Sequence, residues 1–132
     1  MKLHHICIQT NCYEDSKEFY IEYLGFHLIN ETKDFHEREY NTWLELGDIK
    51  IELQTNKKNQ TLVKPSKDET GVWHICFIVK NIDETLQKLE NNNKIIFVRK
   101  DNKIIYEVLG TSLFKVYAPE GTLIEFRDKE ID

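Results

Sequence analysis

The sequence predicts an α+β fold built from two consecutive βαβββ modules, and three recurrences predict it. His5-Ile6-Cys7-Ile8 returns as His74-Ile75-Cys76-Phe77, and Asn11-x-x-Glu14 returns as Asn81-x-x-Glu84, each roughly 70 residues on. Ile51-Glu52-Leu53 lies late in the first half, and Ile124-Glu125-Phe126 lies late in the second. Three matches in the same order at nearly one offset mark an internal duplication. The length of 132 residues suits one domain. Residues 1–132 are therefore taken as a single domain, with module one over about 1–66 and module two over about 67–132.

Residues 3–10 alternate Ile6 and Ile8 with His5, Cys7 and Gln9, the period of a strand. Asn11 reads as a helix N-cap with Glu14 completing a capping box. Phe19, Tyr20, Tyr23 and Leu24 form an apolar stripe at helical spacing, and Gly25 is the residue that ends it. Strands are expected over 26–34, 41–47 and 49–55, with Gly47-Asp48 turning the last pair. Residues 56–70 are polar and read as the connection between halves. A strand over 72–79 opens the second half. Asn81 then caps a helix lined by Ile82, Leu86 and Leu89 and ended at Asn91-Asn92-Asn93. Strands near 95–99, 112–118 and 122–127 complete it, with Pro119-Glu120-Gly121 as a turn.

Apolar residues at 40% and charged residues at 31% describe an ordinary globular chain. Its net charge of -5, without a basic stripe, argues against nucleic acid as a partner. No apolar run has the length of a membrane helix, and the N-terminus shows no signal-peptide pattern, so a cytoplasmic protein is expected. Cys7, Cys12 and Cys76 are spaced for neither a disulfide framework nor a zinc knuckle, and are expected to stay reduced.

Side chains alternate across a strand, so the neighbours of a residue show which face it takes. His5 adjoins Ile6, Glu52 lies between Ile51 and Leu53, His74 adjoins Ile75, and Glu125 lies between Ile124 and Phe126. With the apolar neighbours in the core, the two histidines and two glutamates share the opposite face. A single carboxylate so placed usually points into water. Two imidazoles and two carboxylates at symmetric places match a site for one divalent metal, with nickel, cobalt and zinc all suited. His4, His27 and His36 have no symmetric counterpart and read as structural or surface groups. Cys7 and Cys76, in phase with the histidines, read as small buried core residues. Trp43 and Trp73 read as core or interface. Lys100, Lys103 and Ile104–Leu109 read as a solvated loop with an apolar anchor, or as a flap over substrate.

Several of these segments resemble the vicinal oxygen chelate superfamily, and within it glyoxalase I (lactoylglutathione lyase). They are Leu3-His4-His5-Ile6, Ser16-Lys17-Glu18-Phe19-Tyr20 leading to Leu24-Gly25-Phe26, Ile51-Glu52-Leu53, His74-Ile75-Cys76, and Pro119-Glu120-Gly121 ahead of Ile124-Glu125. The resemblance covers nearly the whole chain. It implies a glyoxalase/bleomycin resistance/dioxygenase-type fold, in which the modules form a cupped mixed sheet around a metal held by His5, Glu52, His74 and Glu125. It implies isomerisation of a 2-oxoaldehyde–thiol thiohemiacetal to a 2-hydroxyacyl thioester through a metal-bound enediolate, with Glu52 and Glu125 moving the proton. It further implies a homodimer with a shared site. Gln9 stands where glyoxalase I often carries a carboxylate-binding arginine, and Asn56 matches a position that touches the thiol substrate. Other functions on this scaffold are an antibiotic-modifying thiol transferase, an epimerase, a ring-opening dioxygenase and a non-catalytic small-molecule binder.

Overall fold

The computed structural model describes residues 1–131 and divides into two compact units, Met1–Lys64 and Pro65–Asp132. In the first unit, β1 (Ile6–Thr10) leads into α1 (Tyr13–Glu18), which continues as a π-helical turn over Phe19–Tyr23. Three strands follow: β2 (His27–Phe35), β3 (Arg38–Leu46) and β4 (Ile49–Thr55). The sheet order is β1-β4-β3-β2, with β1 parallel to β4 and the other pairs antiparallel. Ile8, Phe19, Tyr20, Phe26, Leu44, Ile51 and Leu53 make its core.

Asn11 does not cap α1. The N-cap is Cys12, with no side-chain cap bond. Instead the Thr10 hydroxyl accepts from the Cys12 amide at 3.0 Å and bonds the buried Ser16 hydroxyl at 2.8 Å. The Thr10 hydroxyl thus ties down the turn that enters the helix, while the N-cap residue makes no side-chain cap bond. The helix ends as expected. Gly25 has a φ of +86°, and the Phe26 amide closes back on the Tyr20 carbonyl at 2.9 Å.

The second unit repeats the plan with one elaboration. β5 (Ile75–Ile78), α2 (Ile82–Glu90), β6 (Ile96–Phe97), β7 (Tyr106–Val108), β8 (Thr111–Tyr117) and β9 (Leu123–Arg127) follow in order. The path is β5-β9-β8-β6, again with the first and last strands parallel. β6 pairs with one end of β8 and β7 with the other, so the counterpart of β2 is split into two pieces. Between them Lys100 and Lys103 exchange both backbone hydrogen bonds around Asp101-Asn102, whose φ angles are +51° and +64°. The segment expected as a loop or flap is therefore a tight turn and a strand. Asn81 caps α2 as expected, accepting from the Glu84 amide at 3.0 Å. Leu89, Leu113, Phe114, Val116, Ile124 and Phe126 are buried here.

The duplication holds at the level of register. Cys7 pairs with Glu52 between Ile6–Ile51 and Ile8–Leu53, and Cys76 pairs with Glu125 between Ile75–Ile124 and Phe77–Phe126. Among the described residues no helix is long and apolar enough to cross a membrane.

Candidate functional site

Alternation along β4 buries Ile51 and Leu53 and leaves Lys50, Glu52 and Gln54 on the other face. β1, in parallel register, adds Cys7 and Gln9 to that face, with His5 one residue before the strand. His5 Nε2 stands 3.4 Å from Glu52 Oε2. The second unit builds the same pair: His74, one residue before β5, places Nε2 3.6 Å from Glu125 Oε2. Each unit thus brings together its own expected histidine and glutamate.

The surroundings differ. Beside Glu52, Gln54 Nε2 donates to Oε1 at 3.3 Å and to Asn41 Oδ1 at 2.6 Å. Trp43 is the cross-strand neighbour of Glu52, and its ring meets that of His5 edge-on at 4.8 Å. Glu125 has cations instead. Arg127, at the place of Gln54, donates its Nε to Oε1 at 2.5 Å, and Lys115, at the place of Trp43, brings Nζ to 3.4 Å from Oε2. Arg127 also donates to the Thr111 hydroxyl at 2.7 Å. The Glu125 side chain is only 3% exposed, against 16% for Glu52. Burial works against its ionisation, but Arg127, the Cys76 thiol and Lys115 outweigh that and hold its carboxyl below the usual range. Reciprocally, Glu125 raises the Arg127 guanidinium.

Cys7 and Cys76 are exposed, not core residues. They lie on the site face because the residue two along from each histidine must share its side of the strand. Cys7 Sγ lies 3.3 Å from Gln54 Oε1, and Cys76 Sγ lies 3.5 Å from Glu125 Oε1. Partial desolvation and then the Glu125 carboxylate push the Cys76 thiol up to about 11. Desolvation and Glu52 raise Cys7 as well, with Arg38 opposing.

Gln9 is exposed on the site face and accepts from Arg38 at 3.1 Å. Asn56 is turned to its own loop, donating to the Lys57 and Gln60 carbonyls at 3.1 and 3.2 Å. His27 and His36 are exposed. His4 is exposed too, yet it touches His5. Sequence reasoning missed His4, Trp43, Gln54, Lys115 and Arg127 as neighbours of the candidate ligands. Two of them carried a signal: Gln54 and Arg127 each follow a candidate glutamate by two residues and so share its face.

Two neighbouring ligands of one first-row cation, with bonds of about 2.1 Å, stand roughly 3 Å apart. The separations of 3.4 and 3.6 Å come close to that, so both pairs suit part of a ligand set by residue type and spacing, although the Glu125 oxygens already face Arg127 and Lys115. Among the described residues no group of three or more His, Cys, Asp and Glu side chains is placed to hold an ion. Each unit holds one histidine–glutamate pair of its own.

The chain is 36% identical to YwkD of Bacillus subtilis (strain 168) over 91 residues, covering 66% of this chain and 68% of that protein. It is similar to a glyoxalase family protein from Enterococcus faecalis, at 25% identity and a TM-score of 0.77, over 96% of both chains. It shares its fold with the trypanothione-dependent glyoxalase I of Leishmania major, at 18% identity and a TM-score of 0.70, over 96% of this chain and 85% of that one. It also shares it with a mutant of the fosfomycin resistance protein FosX from Listeria monocytogenes, solved with Mn(II) and 1S,2S-dihydroxypropylphosphonic acid. That likeness has 13% identity and a TM-score of 0.76, over 98% and 94% of the chains. A family model matches residues 2–126, nearly the full length over which the two histidine–glutamate modules run, and the chain belongs to the Glyoxalase/Bleomycin resistance protein/Dioxygenase superfamily.

Proposed function

We propose that the chain is a metal-dependent, glyoxalase I-like lyase that isomerises a 2-oxoaldehyde–thiol thiohemiacetal to a 2-hydroxyacyl thioester. In this reading His5, Glu52, His74 and Glu125 together hold one divalent cation, and two copies of the chain form a homodimer that shares its sites. The observation that carries it is the repeated pair: both units set a histidine nitrogen beside a glutamate oxygen, at 3.4 and 3.6 Å, on the same face and in the same register. A divalent cation held there supplies Lewis-acid stabilisation of the charge that develops on two adjacent substrate oxygens.

The chain's own groups supply the rest. Glu52 and Glu125 carry the proton from one substrate carbon to the next. Arg127 and Lys115 hold Glu125 ionised, which leaves it free to accept the proton but lowers its basicity, so the proton must pass on readily to the next carbon. Gln9 offers an exposed amide to the substrate on the site face, and Asn56, its donors engaged, offers Oδ1.

The test is metal analysis of the purified protein, then assay of methylglyoxal with several thiols after loading nickel, cobalt or zinc. Thioester formation with one thiol is expected. Glu125→Gln should lower turnover by at least about 100-fold, the scale for losing a general base, while the fold survives by circular dichroism. Unchanged turnover refutes the assignment.

Lys115 and Arg127 favour one second reading: another metal-dependent enzyme of the superfamily, whose substrate carries an anionic group. Bound cation without turnover of any thiol adduct, together with binding of a phosphonate, would select it.

A further inference from the structure

The two candidate histidines are oriented differently. His5 Nδ1 lies 2.8 Å from His4 Nδ1, with the rings at 87° to each other. At that distance one ring supplies an N–H and the other a lone pair. Trp43 meets both rings edge-on, at 4.8 Å for His5 and 6.0 Å for His4. His5 is thereby held on two sides, and its free nitrogen, Nε2, is the one that faces Glu52. In the second unit the residue before the histidine is Trp73, which offers no acceptor. His74 Nδ1 is buried and has no hydrogen-bond partner among the described residues.

We propose that His4 is a positioning residue for the cation site. His5 Nδ1–H donates to the His4 Nδ1 lone pair, which fixes the His5 ring and leaves the lone pair on Nε2, the ligating atom. The proposal rests on the metal-site reading above for its consequence, but not for the bond itself. A partner on the far nitrogen of a ligating histidine sets the ring's orientation, and losing such a partner commonly weakens metal binding about 10- to 100-fold. His4→Phe keeps an aromatic ring beside Trp43 and removes the bond; His4→Gln restores a polar partner.

Two measurements test this. In the metal-free protein, nitrogen-15 NMR of the imidazoles should show a coupling across the hydrogen bond between His4 and His5, absent in His4→Phe. No coupling in the wild-type chain overturns the proposal, whatever the protein does with metals. Titration with zinc alone should then show affinity reduced about 10- to 100-fold in His4→Phe and largely recovered in His4→Gln, with His27→Phe unchanged. Equal affinity in all four folded proteins also overturns it. Coupling present but no zinc binding by the wild type would leave the His4–His5 bond standing, and would sink both the metal-site reading and the positioning role drawn from it.

Discussion

At the residue scale the two candidate glutamates occupy equivalent places in unlike surroundings. Glu52 has Gln54 and Trp43 around it; Glu125 has Arg127 and Lys115. A nearly buried carboxylate depends on its counter-charges, so Arg127→Gln should cost about 2 kcal/mol, the scale of a hydrogen bond to a charged group. The pH dependence follows from the lowered Glu125 carboxyl. Its contribution is fully present above the ordinary value of 4.5 and is lost as pH falls through the depressed one. In Arg127→Gln the loss begins at a higher pH. Urea unfolding at pH 7 should therefore separate the two proteins, and the gap should close in acid, once the carboxyl is protonated in both. A gap of equal size at all pH values would mean that Arg127 acts through packing alone.

At the element scale the two helix starts show how far a motif can be trusted. Asn11-x-x-Glu14 and Asn81-x-x-Glu84 are the same pattern, yet only Asn81 caps its helix. Near β1 the buried Thr10 hydroxyl is already in place to bind the Cys12 amide, and it leaves Asn11 outside. Asn81→Ala should therefore destabilise by about 1 kcal/mol and Asn11→Ala by much less. Paired thermal unfolding measurements check this, and equal losses would contradict the capping geometry. The π-helical turn over Phe19–Tyr23 was equally silent in the sequence: its residues fit an α-helical stripe, and only the bond from the Leu24 amide to the Phe19 carbonyl, five residues back at 3.1 Å, shows the widened turn. The strands expected over 26–34 and 41–47 form as β2 and β3, but the turn that joins them was hidden for another reason. Its residues, His36 and Glu37, have φ of +46° and +67°, a conformation that Asn-Gly would have announced and these side chains do not.

At the scale of the whole molecule the duplication is the organising fact. Each unit sets one imidazole beside one carboxylate. If the two sets serve one cation, His5→Ala and His74→Ala should each abolish cation binding and turnover. Mixing the two variants after subunit exchange should restore a fraction of the activity if a site draws its halves from two chains. No restoration, with dimers still exchanging, would place each site within one chain. Measured stoichiometry near one cation per chain is expected in both cases.

The sequence alone determined the duplication, the strands that carry Glu52 and Glu125 and those that His5 and His74 lead into, and the face that the two glutamates take. These follow from local rules: a period of two along a strand, glycine where φ must be positive, and apolar residues where burial is required. Tertiary structure decided the rest. It decided that Thr10, not Asn11, ties down the start of α1, that β6 and β7 divide one strand's place, and that Cys7 and Cys76 lie exposed on the site face. It also decided that Arg127 and Lys115 close on Glu125 while His4 turns to His5. Lys115 reaches Glu125 only once the β8–β9 register is set, and a linear pattern carries no record of that. The bonds between near neighbours, Thr10 to Cys12, Arg127 to Glu125 and His4 to His5, turn on side-chain rotamers that the surrounding packing selects.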